Sequence, residues 1–216
     1  MEQIFKDPLK LVGLTIAATA LLSGFVVVWP LEPIERHGSF ADSTPPEALA
    51  LEGAQVYYEE GCQYCHSQNL RPLPSEVARF ADAESYGDAV LPVATEYMFE
   101  SPAQRGSTRI GPDLTRVAGR LTEDQVRAVL RGGGPAGSLA ANYHPYAHLF
   151  ETDAGVNPLF LSWRIRMLRE VAVPLSDPYQ KSVWWALEDA TRGDALVAYL
   201  VSLGQRQLQF RGQFYQ

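Results

Sequence analysis

Apolar positions along this chain form one unbroken block and several periodic ones. Residues 11–29 contain no charged side chain. At about 1.5 Å per residue the block rises ~28 Å as a helix, close to the hydrocarbon thickness of a bilayer. Trp29 and Pro30 stand where an interfacial anchor and a helix stop are expected. Further on, Leu49, Gly53, Val56 and Tyr57 recur at helical spacing and predict a helix over 46–60. A second is predicted over 121–131, capped by Thr122 and ended by the glycines of 132–134. Helices over 159–171 and 176–190 follow, the latter behind Ser176 and Pro178. The last, over 194–203, has Asp194 as its cap and Gly204 as its stop. Residues 71–119 are punctuated by Pro72, Pro74, Pro92, Pro102 and Pro112 and read as loop with short helices, and 132–142 reads as a pliable Gly/Ala segment. No alternating strand pattern persists. The expectation is an all-α chain, a single N-terminal transmembrane helix followed by a helical domain with long loops.

Composition refines this layout. The boundaries expected are a tip and anchor helix over 1–30, a Pro/Ser/Glu/Gly-rich linker over 31–46, a domain over 47–204 and a tail over 205–216. A cleaved signal peptide is the competing reading of the block. It is disfavoured because the apolar run is long and no small-residue cleavage site precedes polar sequence. Lys6 and Lys10 precede the block, whereas Glu32 and Glu35 follow it with Arg36. That asymmetry places the N-terminus in the cytoplasm and the domain outside. The formal net charge of −7 argues against a nucleic-acid partner, which would call for a basic face. In the tail, Phe210, Phe214 and Tyr215 lie among amides, fitting either a docked segment or a disordered one.

Chemistry enters with Cys62-Gln63-Tyr64-Cys65-His66, a C-x-x-C-H pattern. On one helical turn the two thiols face one porphyrin edge, where they can form thioethers with its two vinyl groups. The imidazole of His66 then falls beneath the iron. These are the only cysteines in the chain. A zinc site would need further Cys or paired His ligands, and a redox dithiol would want a βαβ context. The motif therefore predicts one covalent haem c. Downstream, Ile110-Gly111-Pro112-Asp113-Leu114 is suited to hold a backbone carbonyl against the far nitrogen of His66, fixing its tautomer. Arg71 and Arg109 are candidates to pair with haem propionates, or are solvated surface charges. Gly53 and Tyr57 are expected to meet Tyr199 where two helices cross, the glycine admitting the aromatic.

With these motifs in view the chain resembles a known family. Residues 61–72, reading Gly-Cys-Gln-Tyr-Cys-His-Ser-Gln-Asn-Leu-Arg-Pro, are similar to the haem segment of the mono-haem cytochrome c subunit (subunit II) of cbb3-type cytochrome c oxidases. So are residues 106–117, the Arg166-Met167-Leu168-Arg169 run with Val173-Pro174, and the Asp194-to-Leu200 run. The likeness covers about 46–204 in the same order, behind a membrane anchor. It implies a class I-like cytochrome c domain on the periplasmic side of a bacterial inner membrane, anchored by one span. It also implies a partner, an integral-membrane haem-copper catalytic subunit. Other cytochrome c subunits or a soluble donor would supply electrons.

One departure concerns the sixth iron ligand. The family's methionine aligns with Tyr143, in the run Ala141-Asn142-Tyr143-His144-Pro145-Tyr146-Ala147-His148. Within that frame His144 is the first candidate, His148 the second and Met98 the third, with an open or Tyr143-ligated iron last. Bis-histidine ligation would lower the potential relative to His/Met, since a thioether favours ferrous iron. Four functional readings follow. The first is an electron relay of a cbb3-type oxidase and the second is the cytochrome c subunit of a nitric oxide reductase. A haem enzyme or gas sensor with an open distal side is the third, and an independent tethered carrier the fourth.

Overall fold

The computed structural model describes residues 7–28, 44–81, 91–92, 94–100, 105–133, 143–170 and 173–205. Trp29, most of the expected linker, residues 134–142 of the pliable segment and nearly all of the tail lie outside the described residues. The chain divides into two compact units, Met1–Thr44 and Pro45–Gln216.

The first unit carries α1, Pro8–Ser23, continued by a π-helical turn over Gly24–Val28. It starts three residues before the uncharged block because Asp7 caps it, accepting from Leu9 N and Lys10 N, with Pro8 at the first helical position. Its apolar side chains are exposed, and Thr15 donates to the Leu11 carbonyl at 2.9 Å, so this hydroxyl is satisfied within the helix. Pro8–Val26 is long and apolar enough to cross a membrane.

The second unit is helical, and no strand occurs among the described residues; one isolated bridge joins Gly155 to Thr191. Its helices are α2 (Ala48–Glu59), α3 (Pro74–Phe80), α4 (Glu123–Leu130), α5 (Pro158–Glu170), α6 (Asp177–Ala186) and α7 (Arg192–Ser202). Short 3₁₀ turns lie between them. The organising contact is α2 against α7. A Cβ on Gly53 would stand 2.5 Å from the Ala195 backbone carbon and 2.7 Å from Tyr199 Cβ, so only glycine permits the approach. The Tyr57 and Tyr199 rings meet just beyond, centres 5.4 Å apart, so the predicted crossing is present. Val56, Tyr57, Val126, Leu130, Leu149, Leu196 and Tyr199 form one apolar cluster on this axis. Ala48 and Leu51, on the other side of α2, join Phe99, Leu161, Ile165 and Val183 in a second.

The caps follow local chemistry. Thr122 and Gln125 form a reciprocal capping box at α4. Asp194, expected to cap the last helix, sits one turn inside it. Thr191 is the N-cap, and Asp194 returns the bond to Thr191 N at 3.0 Å. The helix therefore starts two residues earlier than the spacing predicts. A carboxylate at that third position satisfies an orphan amide as well as a cap does.

Candidate haem site

The site begins where α2 ends. Gly61 adopts a left-handed backbone (φ 72°), a conformation that glycine takes without steric cost. The chain turns there and presents Cys62–Tyr64 as a single 3₁₀ turn. Cys65 N and His66 N both donate to the Cys62 carbonyl, at 3.1 and 3.0 Å, which keeps the two thiols and the imidazole on one turn. Both cysteines are free thiols. Cys65 is exposed, while Cys62 is partly buried, and burial pushes its thiol up to about 12. A redox dithiol needs the opposite shift.

His66 faces the second loop. Its Nδ1 lies 2.8 Å from the Pro112 carbonyl. A carbonyl only accepts, so Nδ1 donates and Nε2 keeps its lone pair, the tautomer a metal requires. Burial holds His66 below the ordinary imidazole range; the Pro112 carbonyl opposes this, and His144 and Arg120 reinforce it. Gly111 makes the approach possible. A Cβ there would sit 2.6 Å from His66 Nδ1 and 2.8 Å from Nε2. Gly106, also left-handed at φ 62°, passes as closely: its Cβ would lie 2.7 Å from the Gln63 carbonyl oxygen.

Asp113 locks the two loops together. Fully buried, it accepts from Ser67 Oγ at 2.6 Å, Asn69 N at 3.0 Å and Thr115 N at 2.9 Å. Backbone bonds from Gly111 N to the Cys65 carbonyl and from Leu114 N to the Ser67 carbonyl, both 2.8 Å, complete the seam. Sequence reading placed Asp113 in the motif without giving it a role. Its signal was a short carboxylate directly after a rigid proline, in a position to accept from several amides at once. Arg120, whose guanidinium donates to the Asp113 carbonyl at 2.7 Å and whose charge reaches His66, was not foreseen at all.

The remaining candidates separate clearly. The His144 ring centre lies 5.8 Å from that of His66, the planes inclined by 29°. Tyr146 N donates to the Leu130 carbonyl at 3.0 Å and buried Leu149 anchors the following 3₁₀ turn, so α4 positions this segment. His148 lies beyond Tyr146, its ring 6.3 Å from that tyrosine's, and Tyr143 is exposed. Met98 packs against the second apolar cluster, with Leu51, Phe99 and Leu161. Arg71 and Arg109 are both turned to a protein carboxylate, Glu76. Arg109 also donates to Ser67 Oγ and to the Asn69 carbonyl, each at 2.7 Å. Those bonds make Arg109 a brace of the loop that follows the C-x-x-C-H turn. The Arg71 and Arg109 guanidiniums pull the Glu76 carboxyl down to about 2.

The family model described as cytochrome C oxidase, mono-heme subunit/FixO, matches residues 2–193. The chain belongs to this family. A search of curated proteins finds no match. Membership implies one haem and a membrane-bound catalytic partner, and with the apolar α1 it indicates membrane anchoring. The residues present fit a haem c. Two thiols and a histidine share one turn, Nε2 of that histidine keeps its lone pair, and a second imidazole lies close to it.

Proposed function

We propose that this chain relays electrons into a cbb3-type terminal oxidase through one haem c, attached covalently at Cys62 and Cys65. His66 is the proximal ligand and His144 the distal one. The observation that carries this reading is the turn that holds Cys62, Cys65 and His66 together, with the Nδ1 of His66 already engaged by the Pro112 carbonyl and the His144 ring 5.8 Å from its own. When bound, the haem supplies a one-electron ferric/ferrous couple. The chain's own residues do the rest. Gly111 lets the Pro112 carbonyl reach His66 and hold it in the donating tautomer, and Asp113 fixes that loop against the C-x-x-C-H turn. Arg109 and Glu76 brace the same turn from outside. Because no proton moves at these residues when charge passes, a rigid, well-bonded cradle suits a relay. A second imidazole in place of a thioether sets the potential lower than His/Met ligation would.

The reading includes a single span over Pro8–Val26, a linker into a domain over 47–204 on the periplasmic side, and a haem-copper catalytic subunit as electron acceptor. Family membership favours the oxidase; no separate observation favours a nitric oxide reductase. The test has two parts. Haem should stay with the full chain through acidified-acetone extraction and be released from the Cys62→Ala/Cys65→Ala variant. The full chain assembled with its catalytic subunit should support oxygen uptake that this variant does not. Haem that extracts freely from the wild-type chain would refute covalent attachment.

A further inference from the structure

Three of the chain's four tryptophans, Trp163, Trp184 and Trp185, lie on α5 and α6, away from the haem site, and all three are exposed. On α5, Leu161, Ile165 and Leu168 are buried, while Leu159, Phe160, Trp163 and Met167 form the opposite, solvent-facing stripe. On α6, Val183 is buried and Trp184 and Trp185 face outward, Trp185 to 77% of its full exposure. Both helices bury their inner faces in the same cluster. They are tied together by Gln180 Nε2, which donates to the Ser162 carbonyl at 3.2 Å, and by the Arg169–Asp177 ion pair. Six large apolar side chains on two adjoining helices are far more than the scattered hydrophobics of an ordinary surface.

The composition of this face points to its occupant. Arg166 lies on the α5 stripe and Lys181 on the α6 stripe between the two tryptophans at helical spacing, both exposed, while exposed Glu170 closes α5 and exposed Glu188 follows α6, so the face is amphipathic without a net positive charge. Tryptophan bodies flanked by long cations are the makeup of a surface that sits at the boundary of headgroups and acyl chains. On the anchor reading of α1 the chain is moreover tied to such a surface. Tyr179 of α6 donates its hydroxyl to the Pro46 carbonyl at 2.8 Å, so α6 adjoins the point where the chain enters this unit. Only the 19 residues 27–45 separate Pro46 from Val26, the end of the apolar span, a contour of at most roughly 70 Å. We propose that the α5/α6 face is a membrane-interface docking surface that seats this unit on a lipid bilayer. The proposal rests on the anchor reading of α1 and is independent of how the haem is ligated.

The full haem-loaded chain, carrying Trp29→Phe to silence the tryptophan at the end of the span, is placed in nanodiscs of anionic and zwitterionic lipid. Tryptophan emission is then compared with and without bromine on the upper acyl carbons. Taking the ratio cancels quenching by the haem. Emission should fall at least twofold with brominated lipid, and Phe160→Glu/Met167→Glu should reverse most of that loss while leaving the haem spectrum unchanged. An unchanged emission ratio in chain that has incorporated into the discs overturns the docking surface, including the alternative case where the face is reserved for a protein partner. Failure of the chain to incorporate at all overturns the anchor reading, and the proposal with it.

Discussion

Gly111→Ala applies the smallest possible perturbation to the cradle beneath His66. The new methyl would stand 2.6 Å from Nδ1 and 2.8 Å from Nε2, and ordinary contact begins at 3.4 Å. Nδ1 must therefore retreat by about 0.8 Å, the difference between 3.4 and 2.6 Å. Rotation in the ring plane cannot achieve this, because both nitrogens are crowded at once. Either the whole imidazole moves or the loop does, and Pro112, peptide-bonded to Gly111, moves with the loop. Both outcomes break the 2.8 Å bond between His66 and the Pro112 carbonyl. Overpacking costs about 1–3 kcal/mol and the lost bond about 1 kcal/mol, so the variant should be less stable by about 2–4 kcal/mol. Denaturant unfolding of the haem-loaded chain in detergent, followed by haem absorbance, measures this. The low-spin bands should also shift as the proximal ligand loses its anchor. A variant within about 0.5 kcal/mol of wild type, with an unchanged spectrum, would refute the argument that Gly111 sets the position of His66.

Three further outcomes are expected. Gly53→Ala drives a methyl into the backbone of α7 and should cost about 1–3 kcal/mol or more in the same unfolding assay, with loss of the Tyr57–Tyr199 contact visible in near-ultraviolet dichroism. Thr191→Ala removes the α7 cap and should cost about 1 kcal/mol; an unchanged midpoint would mean the Asp194 carboxylate caps the helix alone. Glu76→Gln tests a pH dependence. The folded carboxyl titrates near 2, below its ordinary value of 4.5, so its ion pairs stabilise the fold above about 4.5 and lose that contribution as pH falls toward 2. The variant should be less stable than wild type at pH 7, and the gap should narrow at pH 3; a gap independent of pH would contradict the pairing.

Features with strong local grammar were legible in the sequence. The C-x-x-C-H turn, the Thr122 cap and the helical spacing of Gly53 and Tyr57 announce themselves because the constraint lies within a few residues. The start of α7 was equally local, since Thr191 and Asp194 form the T-x-x-D pattern of a capping box. Reading Asp194 as the cap overlooked its reciprocal partner. Partner choice across loops was not legible. A guanidinium pairs with carboxylates that folding brings near, and α3 brings Glu76 to Arg71 and Arg109, a partner that no spacing announces. The same limit hid Asp113 and Arg120. Their roles depend on residues 65–70 lying beside residues 105–115, a pairing of loops that no periodicity encodes. His144 stood out only against the family pattern, and the 5.8 Å ring separation is what distinguishes it from His148.

The central claim concerns the two faces of the iron, and it is tested most directly by low-temperature electron paramagnetic resonance of the oxidised, full-length chain beside His144→Ala. Wild type should give the low-spin g values of a ferric haem with two imidazole ligands. His144→Ala should become high-spin or take up an exogenous ligand such as imidazole, which restores the low-spin signal. A His144→Ala spectrum indistinguishable from wild type would contradict the account and move the distal ligand elsewhere in the chain.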